Sequence, residues 1–186
     1  PHIWFFENLN DIPDYICGVR LLRGVEANVL DHNGRLDMED FTLGRLDLVI
    51  ASMHDSIMPD GTKDDFTFAW WNVAQNPLVD IIGHSGTPKF AYDYDAVLPE
   101  VAKNGKAIEL NEHSFALRKK SIDNCVKIAR LCKKYNVPVA VNSDAHYHDH
   151  VAVFSNWIEL LKEIDFPEKL IVNSSVENMN EFFSKK

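Results

Sequence analysis

The chain has 186 residues, of which 46% are hydrophobic, and a formal net charge of −9 at pH 7. This composition suits one globular domain with a sizeable core and excludes a disordered chain. No apolar run approaches the roughly 18 residues of a membrane span, and no signal peptide is visible. Lysines and arginines are scattered without a basic patch, which argues against nucleic-acid binding. An acidic chain with three cysteines and no CxxC motif predicts a cytoplasmic protein without disulfides.

Six short apolar runs predict strands, because each run is nearly continuous rather than alternating. That pattern is typical of strands buried on both faces, as in a parallel sheet. The runs cover residues 21–25, 46–51, 78–82, 107–110, 137–141 and 170–172. After the first of them, Asn33-Gly34 predicts a small hairpin excursion, since both positions tolerate positive φ.

Helical periodicity fills the intervals between these runs. The helical segments are 66–73, 94–103, 119–134, 153–164 and a last one that ends at residue 183. Phe66, Trp70 and Val73 sit at helical spacing, which favours packing against the sheet over a surface that stacks a ligand. In front of the last helix, the sequence from Ser174 to Glu177 predicts a capping box.

Repeated βα units predict an α/β fold, most simply a (β/α) barrel. A complete eight-unit barrel needs about 200 to 250 residues or more, and this chain offers six predicted strands. We therefore expect one barrel domain over residues 1–186 that lacks its first one or two βα units. The chain begins at Pro1 without a methionine, so we expect the parent protein to carry the missing units upstream.

Polar side chains follow five successive predicted strands. They are Glu26; His54 and Asp55; His84; Glu109, Asn111 and His113; and Asp144 and His146. The carboxyl ends of parallel barrel strands meet on one rim, where active sites form. Each residue alone has a structural alternative: Glu26 could pair with a nearby arginine, and Asp144 could cap a helix. As a set they predict a metal centre, because several buried charges without partners would be costly.

The predicted metal ligands are Glu26, His54, His84, Asp144 and His146. Imidazole and carboxylate ligands without cysteine suit Zn²⁺, Mn²⁺ or Fe rather than Cu(I) or an iron–sulfur cluster. A carboxylate can also bridge two ions through its two oxygens, as in two-metal phosphatases. His148 and His150 lie beyond the strand end, and we expect them to be solvated loop residues.

In these residues and their order, the sequence resembles the PHP-domain (polymerase and histidinol phosphatase) family of metal-dependent phosphoesterases. Within that family it is most similar to the small bacterial phosphatases of the YcdX type. The resemblance runs from about Leu22 to the C-terminus and rests on five motifs in order. The motifs are RGVEAN (23–28), ASMH (51–54), IGHSGTPK (82–89), ELN (109–111) and NSDAH (142–146).

The resemblance implies a distorted (β/α)₇ TIM-like barrel whose rim holds up to three metal ions, with zinc favoured over manganese or iron. By motif match, Glu26 bridges two metals, and His54 and His84 are further ligands of one of them. Asp144 matches a ligand of the other bridged metal, and His146 matches a ligand of the third. The family's leading His-x-His and Thr-Asp-His motifs do not occur in this sequence, and we expect them in the parent protein.

The implied activity is hydrolysis of phosphomonoesters of a small substrate by a metal-activated water, without a covalent enzyme intermediate. Candidate phosphate ligands are Arg118, Lys119 and Asn111, with Lys89 a weaker one; Arg118 and Lys119 otherwise begin a solvated helix. His113 is either a proton donor or a support for the ligands. Two alternatives stay open. One is an amidohydrolase-type metal-dependent C–N hydrolase, and the other is a non-catalytic PHP-like metal-binding domain.

Overall fold

The fold is organised around one parallel sheet. We describe it from a computed structural model that covers residues 3–184. A short antiparallel hairpin precedes the sheet and consists of β1 (Tyr15–Ile16) and β2 (Val19–Arg20). The sheet has five parallel strands hydrogen-bonded in chain order. They are β3 (Gly24–Asn28), β4 (Leu48–Ser52), β5 (Ile81–Ile82), β6 (Ala107–Asn111) and β7 (Val139–Asn142).

Helices connect and cover these strands. The α-helices are α1 (Ile3–Asn8), α2 (Asp40–Leu43), α3 (Lys63–Gln75), α4 (Tyr94–Lys103), α5 (Ser114–Leu117), α6 (Ile122–Tyr135), α7 (Ser155–Glu163) and α8 (Val176–Phe183). Short 3₁₀ helices cover Leu9–Asp11, Pro88–Phe90, Lys119–Ser121, His148–His150 and Glu168–Leu170. Phe66, Trp70 and Val73 of α3 are buried in the main core, as the periodicity predicts, whereas Trp71 is exposed. Within the described residues, no helix has the length and apolar character to cross a membrane.

The prediction of an α/β fold with a parallel sheet is confirmed, although the strand boundaries differ. The first strand moves by three residues at both ends, from the predicted 21–25 to Gly24–Asn28. The N–H of Leu21 bonds to the carbonyl of Asp14, so this residue extends the preceding hairpin instead. Pairing with β4 starts at Gly24, where an added Cβ would lie 2.6 Å from the carbonyl oxygen of Leu48. As a result, Glu26 lies in the middle of its strand and not at its end.

The prediction of a sixth strand at residues 170–172 is wrong. The chain there leaves a 3₁₀ helix and makes one isolated parallel bridge, between Val139 and Ile171. The Asn173 side chain takes over the pairing: its Oδ1 accepts from the N–H of Val141 at 2.9 Å, and its Nδ2 donates to the carbonyl of the same residue at 2.6 Å. The side-chain amide of Asn173 thus satisfies the backbone N–H and carbonyl of Val141 at the edge of β7.

The predicted turn is present with a corrected detail, whereas the last helix is capped differently from the prediction. Of the two turn residues Asn33 and Gly34, only Gly34 has positive φ, at 76°. The Asp31 carboxylate accepts from the N–H of Asn33 and holds Asn33 in an ordinary turn conformation. The last helix begins after Ser175, whose side chain accepts from the N–H of Asn178 at 3.1 Å. The third helical position is therefore Asn178, and the predicted capping box with Glu177 is wrong.

Candidate metal centre

Three of the predicted ligands meet at a first cluster, which we call the first centre: Glu26, His54 and His84. Glu26 projects from β3, and the two histidines each lie two residues beyond the end of a neighbouring strand. The His84 Nε2 atom is 3.0 Å from Glu26 Oε1 and 3.3 Å from His54 Nε2. His54 Nε2 is 3.5 Å from the same carboxylate oxygen. Three potential ligand atoms therefore face one point.

Hydrogen bonds behind the first centre orient the imidazole of His54 and hold the backbone of His84. Asn28 Oδ1 lies 2.7 Å from His54 Nδ1 and, as an acceptor, places the proton there, which leaves the Nε2 lone pair facing the cluster. The backbone N–H of His84 donates to Glu109 Oε2 at 2.9 Å and helps to hold this residue at φ 26°, in the left-handed region. The hydrogen bond at His54 Nδ1 is the one that metal-binding histidines usually make.

The electrostatics of the first centre favour an ionised carboxylate. Contacts with His54 and then His84 hold the pKa of Glu26 well below its usual value, and these contacts outweigh the opposing effect of burial. Metal ligands must be deprotonated to bind, so Glu26 is ready to act as an anionic ligand.

A second cluster, the second centre, contains His113, Asp144 and His146. Asp144 Oδ1 is 3.6 Å from His146 Nδ1, and Asp144 Oδ2 is 3.8 Å from His113 Nδ1. The Nη1 atom of Arg118 lies 3.6 Å from the same Oδ2 atom. Asp144 has φ 50°, which is unusual for a residue other than glycine. The structure therefore places Asp144 and His146 together and adds His113 to them.

Strand β6 connects the two centres through a pair of buried polar side chains. Asn111 Nδ2 lies 3.1 Å from Asp144 Oδ2 and 3.3 Å from Glu109 Oε2. The other oxygen of Glu109 accepts from Asn142 Nδ2 at 2.9 Å. The sequence analysis placed Glu109 on the predicted rim and within a family motif but gave it no specific role. The spacing of Glu109 and Asn111 could have indicated that both side chains lie on the same face, because alternate residues of a strand share one face.

The residues present fit bound metal ions. Within the described residues, three polar atoms around the second centre are buried and have no hydrogen-bond partner: Asn111 Oδ1, His113 Nδ1 and Arg118 Nη1. Buried polar atoms normally have partners, and a bound ion or ligand is one way to satisfy those that have none. Both centres offer imidazole and carboxylate donors, the ligand set that suits Zn²⁺, Mn²⁺ or Fe.

The remaining predicted residues lie outside the two centres. Lys89 pairs with Asp60 at 3.3 Å and with Asp55 at 3.9 Å, so it ties the loops beyond His84 and His54 together. Lys119 is exposed at the start of a 3₁₀ helix. The exposed His148 lies 2.6 Å from an Asp149 oxygen, as expected of a surface loop.

Fold and site define an α/β protein with two candidate metal-binding clusters beside the strands of a parallel sheet. No protein-family model matches the chain. Three similar curated proteins are a "Probable phosphatase" of Acetivibrio thermocellus (45% identical, covering 100% of this chain and 77% of the relative), one of Caldanaerobacter subterraneus (42%, 100% and 74%) and one of Clostridium botulinum (40%, 100% and 76%). The chain belongs to the family of these proteins.

Proposed function

We propose that the protein is a metal-dependent phosphatase of the PHP family that hydrolyses phosphomonoesters of a small substrate. The observation that carries the proposal is the pair of His/carboxylate clusters beside adjacent parallel strands, linked through Asn111 and Glu109. Two neighbouring clusters are the arrangement that a multinuclear centre needs. The names of the relatives support the phosphatase reaction in particular.

The sheet topology supports a barrel as the fold behind this activity. All five strands are parallel and follow one another in chain order, from β3 to β7. A doubly wound sheet reverses its strand order at a switch point, whereas a barrel continues in one direction. We therefore propose a distorted (β/α)₇ TIM-like barrel with both centres on its carboxyl-end rim.

In this proposal the bound ions, zinc by preference, lower the pKa of a water molecule and offset the charge of the phosphate. The protein's own side chains hold the ions and orient the phosphate. Glu26 supplies an anionic ligand that His54 and His84 keep ionised. Arg118 offers a buried Nη1 atom that has no hydrogen bond among the described residues and lies 3.6 Å from Asp144 Oδ2, and a guanidinium is well suited to bind a phosphate oxygen.

Two candidate protein nucleophiles near the first centre, Ser85 and Cys125, are not activated, which supports direct attack by water. The Ser85 hydroxyl is buried and shares a hydrogen bond of 3.1 Å with Tyr92 Oη. Cys125 packs against Gly86, and burial raises the pKa of its thiol to about 11. A neutral thiol and an occupied hydroxyl are poor nucleophiles. We therefore expect no phosphoryl-enzyme intermediate.

The test is a phosphatase assay with p-nitrophenyl phosphate after loading with Zn²⁺, Mn²⁺ or Fe²⁺. Glu26→Gln keeps the size of the side chain but removes its charge, and we expect activity to fall on the order of 100-fold or more. His148→Ala, a histidine outside both centres, is the control and retains activity. Hydrolysis of cyclic amides without phosphatase activity would instead favour the C–N hydrolase. Activity that is equal with and without metal would contradict the proposal.

A further inference from the structure

We propose that Asp37 is a positioning residue for the first centre: it holds the side-chain amide of Asn28 in the one orientation that turns the Nε2 lone pair of His54 toward a metal ion. The inference rests on the proposed function and deepens it. Asp37 is not a member of the ligand cluster. It acts through Asn28, which stands between it and the imidazole. The sequence analysis gave Asp37 no role.

Three hydrogen bonds connect Asp37 to His54. Asp37 Oδ1 accepts from the backbone N–H of Asn28 at 2.8 Å, and Asp37 Oδ2 accepts from Asn28 Nδ2 at 2.5 Å. The other end of the same amide, Asn28 Oδ1, lies 2.7 Å from His54 Nδ1. The bonds to Asp37 are short, as expected where an ionised carboxylate is the acceptor. Carboxylate, amide and imidazole therefore form one continuous chain of contacts.

The carboxylate sets the direction of every bond in this chain. An ionised carboxylate only accepts hydrogen bonds, so the NH₂ group of Asn28 must face Asp37. The amide oxygen of Asn28 then faces His54, and Nδ1 of that imidazole must carry the proton. The second nitrogen of a neutral imidazole, Nε2, is consequently an acceptor, as a metal ligand must be. With the amide turned over, its NH₂ group would face Nδ1, and the proton would sit on Nε2 and block metal binding.

Glu26 makes this control necessary, because it offers a competing acceptor for the His54 proton. Glu26 Oε1 lies 3.5 Å from His54 Nε2, compared with 2.7 Å between Asn28 Oδ1 and His54 Nδ1. A carboxylate is a stronger acceptor than a neutral amide. An amide that was free to turn over would lose the proton to the Glu26 side, whereas an amide held by Asp37 keeps it on Nδ1.

The excursion after β3 brings Asp37 to this place. The chain leaves the strand after Asn28 and turns back, with an antiparallel bridge between Val29 and Leu36. The N–H of Asp37 donates to the carbonyl of Asn28 at 3.0 Å and closes the turn. The tip packs closely on α3 at Gly34. Backbone and side chain of Asp37 thus both hold Asn28, which is the rigid support that a metal ligand needs.

Asp31 provides a matched control, because it is a second carboxylate in the same excursion. It accepts from the N–H of Asn33 at 2.9 Å and pairs with Arg35 at 3.2 Å. Among the described residues, no hydrogen bond joins it to Asn28. Its charge therefore stabilises the tip of the turn without setting the orientation of the amide.

The experiment is imidazole ¹⁵N NMR of the full chain at pH 8 after removal of bound metal. We expect His54 of the wild-type protein to carry its proton on Nδ1. Asp37→Asn keeps the size of the side chain but lets the amide of Asn28 turn over, so the signal of the Nε2 tautomer should grow. In a zinc titration against a chromophoric chelator, followed at the His54 resonance, the affinity of the first centre should fall about 10-fold. Asp31→Asn should match the wild type in both measurements.

A double variant tests the direction of the bonds rather than the stability of the turn. Asn28→Asp combined with Asp37→Asn exchanges the carboxylate and the amide. Position 28 then offers only acceptor oxygens to His54 Nδ1, and the amide at position 37 donates to it. We expect the Nδ1 tautomer to return and the zinc affinity to recover most of its loss, because the two positions are in direct contact.

Three results would overturn the proposal. The first is Asp37→Asn with the wild-type tautomer and a zinc affinity within about twofold of wild type. The second is an equal loss in Asp31→Asn. The third is a double variant that unfolds in urea as wild type does but recovers neither tautomer nor affinity. Absence of zinc binding in the wild-type protein overturns the proposed function itself, and the tautomer of His54, which is measured without metal, still decides the role of Asp37.

Discussion

Replacing Glu109 by glutamine tests whether one buried carboxylate holds the candidate site together. Glu109 is 8% exposed, and the hydrogen-bond partners that contact its two oxygens are all donors. They are the N–H of His84 at 2.9 Å, Asn142 Nδ2 at 2.9 Å and Asn111 Nδ2 at 3.3 Å. A glutamine keeps the shape of the side chain but replaces one acceptor oxygen by an NH₂ group. That NH₂ group must face a donor, whichever way the amide is turned.

The cost follows from the bonds lost. A hydrogen bond to a charged group contributes about 1.5–3 kcal/mol, and an unsatisfied buried donor costs about 1–3 kcal/mol. Since Glu109→Gln loses at least one such bond and weakens the others, we expect the free energy of unfolding to fall by about 2–4 kcal/mol. For a chain of this size, each kcal/mol shifts the melting temperature by about 2–4 °C. The melting temperature should therefore fall by about 5–15 °C.

The assay is urea unfolding followed by the fluorescence of the buried tryptophans, together with zinc affinity at the first centre. Glu112→Gln is the matched control, because Glu112 is also buried and also accepts only from donors. Both variants should lose similar stability. Only Glu109→Gln should weaken zinc binding at the first centre, because Glu109 holds the backbone of His84.

Two results would refute this reasoning. If Glu109→Gln unfolds within about 0.5 kcal/mol of wild type, the carboxylate is not a structural acceptor, since that range is typical of an ordinary surface substitution. If both variants weaken the first centre equally, the effect is one of general stability and not of the contact with His84. A loss of zinc affinity in Glu109→Gln alone agrees with the network seen in the structure.

Three further predictions test the fold. Gly34→Ala should cost more stability than Gly105→Ala, by at least about 1 kcal/mol in urea unfolding: both glycines have positive φ, but only at Gly34 would the new Cβ meet a backbone oxygen, at 2.9 Å. Gly86→Ala should cost about 1–3 kcal/mol because its Cβ would collide with the sulfur of Cys125, and adding Cys125→Ala should recover part of the loss. In a thiol titration with Ellman's reagent at pH 8, the native chain should expose Cys17 and no other thiol; fast reaction of all three would contradict the burial of the other two.

Much of the strand pattern could be predicted from the sequence, because nearly continuous apolar runs have few other uses in a chain of this composition. The meeting of His54 and His84 was predictable for the same reason. Each follows a buried parallel strand by two residues, and the carboxyl ends of neighbouring parallel strands lie side by side. The prediction that Glu26 lies beside these two histidines agrees with the structure, although the predicted boundaries of its strand were wrong. A shift along β3 leaves the residue on the same sheet.

Other parts of the fold have no clear signal in the apolar pattern. The run at residues 170–172 has the composition of a buried strand, but one Asn173 side chain replaces its pairing with β7. The hairpin of β1 and β2 went unpredicted because its strands have two residues each and are exposed. Its turn at Cys17-Gly18 has positive φ at both positions, and a cysteine in the sequence does not predict such a turn.

The grouping of the site residues depended on backbone conformations that sequence propensities disfavour. His84 and Asp144 have positive φ, 26° and 50°, at a cost on the order of 1–2 kcal/mol for residues with a Cβ. Each lies directly at one of the two centres, and each is bonded to a buried side chain of β6, to Glu109 and Asn111 respectively. Strained residues persist where the surroundings over-determine them, and they concentrate at functional sites. Two of the six non-glycine residues with positive φ in the described chain therefore lie at the two centres, and in both the contact with β6 helps to hold the conformation.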